Sequence, residues 1–175
     1  MQRIRINGRR INLILSVALL FLLVISDQFF KCYFHQRYLD GNGDIVVIND
    51  FFFLSTAFNE GAAFSFLSNE DWAQTFFKIL TIFALIVLFI YYLIVARKYV
   101  FLQYGVMCLF AGIIGNFIDR LAFGKVVDFL SFKFGTYYFP TFNIADAAIT
   151  IGVIIFIIHY LFLDEDAIFC KKQKM

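Results

Sequence analysis

Three aspartates stand in a strongly apolar part of this sequence, between residues 115 and 146. They are Asp119, Asp128 and Asp146. An ionised carboxylate in hydrocarbon-like surroundings costs several kcal/mol unless it is paired, solvated or neutralised by a proton. Each of the three therefore needs a physical reason to be where it is.

Asp128 and Asp146 have no evident counter-ion near them in the sequence. Lys125 is the closest base to Asp128 but falls in an expected loop, and no base lies near Asp146. Two carboxylates at a partly desolvated surface cannot both ionise comfortably, so one keeps its proton and its pKa rises. Such a pair can hydrolyse an amide bond, one acid activating water and the other protonating the carbonyl oxygen. It could equally line a proton or ion path, and spacing alone leaves catalysis and transport open.

Other charged and amide side chains of the apolar segments predict supporting contacts. Asp27 and Lys31 lie about one helical turn apart with the acid first, which suits an ion pair. We expect Arg120 to pair with the adjacent Asp119 and to hold it in position. Asn116, one turn before Arg120, could donate a hydrogen bond from its side-chain amide to a nearby carboxylate.

Residues 59–65 read NEGAAFS and combine an amide with small side chains. Asn59 stands two residues before Gly61, and a glycine lets another backbone approach closely. The pattern fits a contact with a second chain, and it fits an ordinary turn at the edge of a β-structure equally well.

The composition indicates a protein embedded in lipid. Of the 175 residues, 62% are hydrophobic and only 16% are charged, and 26 are Phe. The core of a water-soluble protein of 175 residues could not bury so much apolar surface. The basic residues crowd the ends of the chain instead of spreading over a soluble surface, which argues against nucleic-acid binding. Three cysteines without paired spacing predict neither a disulfide framework nor a zinc site.

Four apolar runs are long enough to cross a bilayer as helices, which takes about 20 residues each. They span about 11–33, 72–95, 99–118 and 144–163. We expect the first to remain as a membrane helix, because no small-residue cleavage pattern follows it. Residues 35–71 hold a Gly-rich turn and two β-favouring runs. The prediction is a mainly α membrane protein, a single integral membrane domain of four transmembrane helices with a small β-rich extracytoplasmic subdomain between helices 1 and 2.

The basic residues predict the orientation of these helices. Arginines precede helix 1, Arg97 and Lys98 form the turn between helices 2 and 3, and three lysines follow helix 4. Basic flanks mark the cytoplasmic side, so both termini are expected in the cytoplasm. The end of helix 1, the β-rich excursion, the end of helix 3 and the start of helix 4 then reach the extracytoplasmic face, and the aspartates converge there.

Five short motifs follow one another between about residue 27 and about residue 151. They are Asp27-Gln28-x-x-Lys31, Asn59-x-Gly61-Ala62-Ala63-Phe64, Gly115-Asn116-x-x-Asp119-Arg120, Val126-Val127-Asp128-Phe129 and Phe142-Asn143-Ile144-Ala145-Asp146. Together with the four expected spans, they resemble the lipoprotein signal peptidases, the type II signal peptidases of bacteria.

The resemblance implies an intramembrane aspartic endopeptidase of the bacterial inner membrane. Its substrates would be diacylglyceryl-modified prolipoproteins held in membrane lipid, cut just before the lipidated cysteine. By the resemblance, Asp128 and Asp146 are the catalytic dyad. Positions that bind substrate or support the dyad are Asn116, Asp119, Arg120, Asn143, Asn59, Gly61, Asp27 and Lys31. The family uses no metal or cofactor and is inhibited by the cyclic peptide globomycin.

Two residues depart from the family pattern. Phe30 stands where a small hydroxyl residue is usual, and Ala111 stands where a glycine is frequent. Both bear on helix packing and substrate shape, and neither belongs to the dyad. The alternative from another functional class is a small membrane transporter or channel in which the acids relay protons. It predicts pH-coupled solute flux and no new substrate N-terminus.

Overall fold

The computed structural model describes residues 2–60 and 72–163, without the side chains of residues 2–9, 73, 74 and 97. Its four long helices can each cross a membrane by length and composition, so the chain is a multi-pass membrane protein. They are α1 Gln2–Leu39, α2 Ala73–Ile94, α3 Val100–Ala122 and α4 Ile144–Ile158. A 3₁₀ turn, Ala96–Lys98, joins α2 to α3, and a π-helical turn, His159–Leu163, extends α4. The predicted mainly α fold with four transmembrane helices is confirmed.

The outer helices turn apolar side chains outward, as a lipid environment requires. On α2, Ile79, Phe83 and Ile86 are all more than half exposed. The only charged residue of α2 is Lys78, near the start of the helix, where its aliphatic side chain can extend the ammonium group to the membrane surface.

Helix α3 is the central element, with one side buried against α1, α2 and α4. Glycines make this packing close. A methyl group on Gly112 would overlap the carbonyl oxygen of Ala145, and one on Gly115 would lie 2.6 Å from Oδ2 of Asp27. Small residues let membrane helices approach through their backbones. The glycines thus bring the ends of three helices, and their polar residues, together.

A four-stranded antiparallel sheet covers one end of the bundle in the order β1-β2-β3-β4. The first hairpin lies between α1 and α2, where a small β-structure was predicted. The other two strands come from the segment between α3 and α4, which was expected to be a loop around Asp128. The strand bounds are β1 Ile45–Ile48, β2 Phe52–Asn59, β3 Val126–Phe134 and β4 Tyr137–Tyr138.

Strand β3 is fixed on both sides. It pairs with β2 so that Ala57 lies opposite Asp128. Its buried Phe129 ring stacks on Phe34 of α1 with centroids 5.0 Å apart, and on Phe30 at 5.8 Å. Phe30, the unusual residue of the first motif, therefore contributes an aromatic contact that holds the sheet on α1.

Candidate active site

Asp128 lies near the start of β3 and is only 4% exposed. Its strand neighbours Val127 and Phe129 are buried as well, so the acid is part of a packed strand. The backbone amide of Val127 donates to Oδ2 of Asp119 at 3.0 Å. The end of α3 thereby fixes the residue just before Asp128.

Asp146 occupies the first turn of α4, and its position is set by a capping box. The side-chain oxygen of Asn143 accepts the Asp146 amide at 2.9 Å, and Oδ2 of Asp146 accepts the Asn143 amide at 3.2 Å. This reciprocal pair satisfies amides that the helix itself leaves free. One oxygen of Asp146 is thus engaged in starting the helix on which the residue stands.

Two asparagines connect the two acids. Asn143 is fully buried and donates its side-chain amide to Oδ1 of Asp128 at 2.6 Å. Asn116 of α3 donates its side-chain amide to Oδ1 of Asp146 at 2.8 Å. Asn143 also donates to the side-chain oxygen of Asn116 at 3.2 Å. Asp128 and Asp146 therefore belong to one hydrogen-bond network built from three chain segments.

The pKa of Asp128 is raised from 3.8 to about 7. Burial is the main cause, since it disfavours the charged carboxylate, and the nearby charge of Asp146 adds to the rise. Hydrogen bonds from Asn143 and Asn59 and the charge of Lys31 act in the opposite direction without cancelling it. Near neutral pH, Asp128 can therefore carry a proton.

Lys31 is the centre of a buried ion cluster beside these acids. Its Nζ lies 2.8 Å from Asp27 and 3.1 Å from Asp119, and all three side chains are at most 2% exposed. The same Nζ donates to the side-chain oxygen of Asn116 at 2.9 Å. This donor orients the Asn116 side chain so that its amide faces Asp146. Asp119 thus pairs with Lys31 of α1, a cation that was not predicted for it, while the predicted partner Arg120 lies within electrostatic range of the same acid.

Asp27 also links the ion cluster to α4. Its Oδ1 accepts the backbone amide of Ala145 at 2.8 Å, while Oδ2 faces Lys31. A carboxylate at a helix N-terminus satisfies a free amide and complements the helix dipole.

Arg120 and Asn59 approach the acids from two other directions. Nη1 of Arg120 donates to the backbone carbonyl of Asn116 at 3.3 Å, and its guanidinium lies within electrostatic range of Asp146, Asp119 and Asp128. Asn59, the last residue of β2, makes a side-chain hydrogen bond to Asp128. Gly61, the other predicted site residue of this motif, lies outside the described residues.

Gln28 belongs to the site although it was not predicted as a site residue. Its Nε2 lies 3.1 Å from both Oδ1 of Asp119 and the carbonyl of Gly115, and 3.3 Å from Oδ2 of Asp27. The sequence feature that could have identified Gln28 as a site residue is its polar amide inside an apolar run, one residue after Asp27. Gln28 supplies Asp119 with a second polar side-chain contact.

The donor set at this site suits proton chemistry. Among residues 2–60 and 72–163, no cluster of three or more His, Cys, Asp or Glu side chains could hold a metal ion. What the site offers is a buried acid able to carry a proton, a second and less buried acid, and amides that fix both. These are the parts needed to activate water and to protonate a carbonyl oxygen.

A sequence model of the family described as signal peptidase (SPase) II matches residues 19–162. The lipoprotein signal peptidase of Staphylococcus haemolyticus is 41% identical to the chain over 151 residues, covering 86% of this chain and 90% of that protein. The lipoprotein signal peptidase of Francisella tularensis subsp. novicida is 39% identical over 152 residues, with coverages of 85% and 92%.

Two solved structures have a similar fold. A bacterial membrane enzyme determined by the in meso method at 2.3 Å superposes with a TM-score of 0.76 and 37% identity, covering 91% of this chain and 93% of that one. A second, at 1.9 Å, has a TM-score of 0.71 and 38% identity, with coverages of 85% and 94%.

Proposed function

The chain belongs to the signal peptidase II family, and from this premise we propose that it removes signal peptides from prolipoproteins. The relatives named as lipoprotein signal peptidases favour this activity over the transporter or channel considered above. The finer proposal is an aspartic endopeptidase that cuts diacylglyceryl-modified prolipoproteins just before the lipidated cysteine.

The single observation that carries the aspartic mechanism is the position of Asn143. It holds Oδ1 of Asp128 through its side chain and caps the helix that presents Asp146. Two acids held by one buried residue have little freedom to move apart. Their environments differ, because Asp128 is buried whereas Asp146 is partly exposed and receives the Asn116 amide. A pair of acids in unequal environments is the arrangement that divides acid and base roles.

In the proposed reaction, Asp128 begins with the proton and Asp146 begins ionised. Water attacks the scissile carbonyl carbon, Asp146 takes a proton from the water, and Asp128 donates its proton to the carbonyl oxygen. The resulting diol collapses as the C–N bond breaks. Asp146 passes its proton to the leaving nitrogen and Asp128 recovers one from the diol. The products are a signal peptide with a new carboxyl end and a lipoprotein with a free cysteine amine.

The surroundings of the dyad suit a substrate that stays partly in lipid. The acids lie where three apolar helices end and the sheet begins, so a diacylglyceryl group could remain in the bilayer while the peptide reaches the site. We further propose that this site lies at the extracytoplasmic face of the bacterial inner membrane with both termini in the cytoplasm, and the basic residues at the opposite helix ends support this orientation. Globomycin-type cyclic peptides would then compete with the substrate backbone at the dyad.

The test uses the purified full-length chain and a lipid-modified prolipoprotein, with product masses measured. We expect one cut, directly before the modified cysteine, and no product from Asp128→Asn or Asp146→Asn. Asp44→Asn, at an exposed acid of the loop before β1, is the matched control and should cleave normally. Normal cleavage by either dyad variant would exclude the aspartic mechanism, and a different cut position would exclude the proposed specificity.

A further inference from the structure

The end of the bundle farthest from the acids holds an open cavity of about 340 Å³. Its lining comes from the start of α1, the end of α2 with the 3₁₀ turn, and the start of α3. Gln103 in this cavity and Asp119 of the ion cluster stand on the same helix, about 24 Å apart at 1.5 Å per residue. The cavity is therefore separate from the candidate active site.

The cavity is basic at some positions and apolar at others. Arg10 and Lys98 supply two cations, and Leu13, Leu93 and Val100 supply apolar surface. No acid is among the described lining residues. Its polar wall includes Gln103, which is 6% exposed and donates to the Tyr92 hydroxyl at 3.2 Å.

Arg10 and Lys98 are exposed and make no salt bridge within the described part of the chain, where the paired lysines are Lys31 and Lys133. Two cations facing one cavity repel each other unless an anion lies between them. The ends of membrane helices lie at the level of the lipid headgroups, where such an anion is abundant.

We propose that this cavity binds one anionic phospholipid of the adjoining leaflet. Its phosphate lies between Arg10 and Lys98, and an acyl chain follows Leu13, Leu93 and Val100. The volume is in the range of small-molecule sites, which is about 300–1,000 Å³. A lipid fits better than free phosphate, because the three apolar residues are more than 39% exposed beside the cations and would otherwise face water or lipid without a specific partner.

Native mass spectrometry of the full-length protein tests this proposal. The protein is mixed with equal amounts of phosphatidylglycerol and phosphatidylcholine of the same chain length, and the bound lipids are counted. We expect phosphatidylglycerol adducts to dominate. A parallel sample with glycerol phosphate, which carries the same phosphate without acyl chains, should show no adduct. Equal binding of the two lipids, or binding of glycerol phosphate alone, would overturn the proposal.

Three variants separate a built site from general attraction to a basic surface. Arg10→Gln/Lys98→Gln should lose about 25-fold in affinity for phosphatidylglycerol, since each cation near a membrane surface contributes about fivefold. Val100→Trp keeps both charges but fills the cavity and should lose binding too. Lys78→Gln/Lys133→Gln removes two charges outside the cavity and should bind like the wild type.

Two results with these variants would contradict the proposed lipid site. If Val100→Trp binds phosphatidylglycerol like the wild type, or if the control pair loses as much as the Arg10/Lys98 pair, there is no site of this kind. The thermal unfolding midpoint of each variant in detergent reports that it is folded. The outcome is independent of the proposed peptidase mechanism, because binding is measured without substrate.

Discussion

The carboxylate of Asp27 on α1 accepts a 2.8 Å hydrogen bond from the backbone amide of Ala145 on α4. The two residues are 118 positions apart in the chain. Ala145 immediately precedes Asp146, so α1 fixes the start of the helix that presents this acid. The same carboxylate pairs with Lys31, and the position of Asp146 therefore depends on a buried ion cluster.

Replacing Lys31 by Met should destabilise the protein strongly. The change leaves Asp27 and Asp119 buried without their shared cation, and breaking a buried ion pair costs about 3–5 kcal/mol. We expect a clear fall in the thermal unfolding midpoint in detergent. Lys133→Met, which removes a lysine paired with the exposed Asp50, is the control and should change the midpoint little. Equal midpoints for the two variants would contradict a structural role for the cluster.

Gly112→Ala should loosen the contact between α3 and α4. The new methyl group would overlap the Ala145 carbonyl oxygen and approach Ile149 to 2.5 Å, and such overpacking costs about 1–3 kcal/mol. Both the unfolding midpoint and the cleavage rate should fall, since Ala145 adjoins Asp146. Gly43→Ala is the matched control, because a methyl group there meets no atom within 4 Å. An unchanged Gly112→Ala enzyme would show that the helices can move apart without consequence.

Asn143→Ala should reduce cleavage by about a hundredfold or more, on the scale observed when one positioned donor is lost from a catalytic site. The variant removes the amide from Asp128 and the cap from α4 together. Steady-state kinetics should show the loss mainly in kcat, with KM less affected. Asn49→Ala, in the exposed turn between β1 and β2, should cleave normally. A loss confined to KM would instead place Asn143 in substrate binding alone.

The pH profile of cleavage should follow the protonation of Asp128. Its pKa is about 7, and the proposed reaction needs its proton, so kcat/KM should fall about tenfold per pH unit above that value. The measurement is the initial rate at low substrate concentration between pH 5 and pH 9. A profile that stays level up to the alkaline end would show that Asp128 does not act as the acid.

Stability should change with pH through the same residue. The folded protein holds the Asp128 proton more tightly than the unfolded chain, whose Asp pKa is about 3.9. The contribution of Asp128 is therefore constant below about pH 4, becomes unfavourable between about pH 4 and 7, and stays so above pH 7. Asp128→Asn should gain stability over the wild type at pH 8 relative to pH 4. A constant difference between the two proteins would refute the raised pKa.

Local sequence properties were sufficient to predict the four membrane-spanning helices. Hydrophobic runs of bilayer length reflect the bilayer as solvent, and that signal needs no knowledge of tertiary contacts. The first hairpin was also predictable from a local signal, namely β-favouring residues on both sides of a turn. Strand β3 was not, because an acid interrupts its apolar pattern and its partner strand β2 lies far away in the sequence.

The sequence by itself determined four membrane helices and identified Asp128 and Asp146 as acids in apolar segments without an evident counter-ion. Only the tertiary structure decided their partners. Adjacent residues of a helix point about 100° apart, so Arg120 does not face the same way as Asp119. Close helix packing at glycines brings Lys31 from α1 to Asp119, and Asn116 and Asn143 to the two acids. Such contacts depend on distances between segments far apart in the chain, which residue types and spacing do not encode.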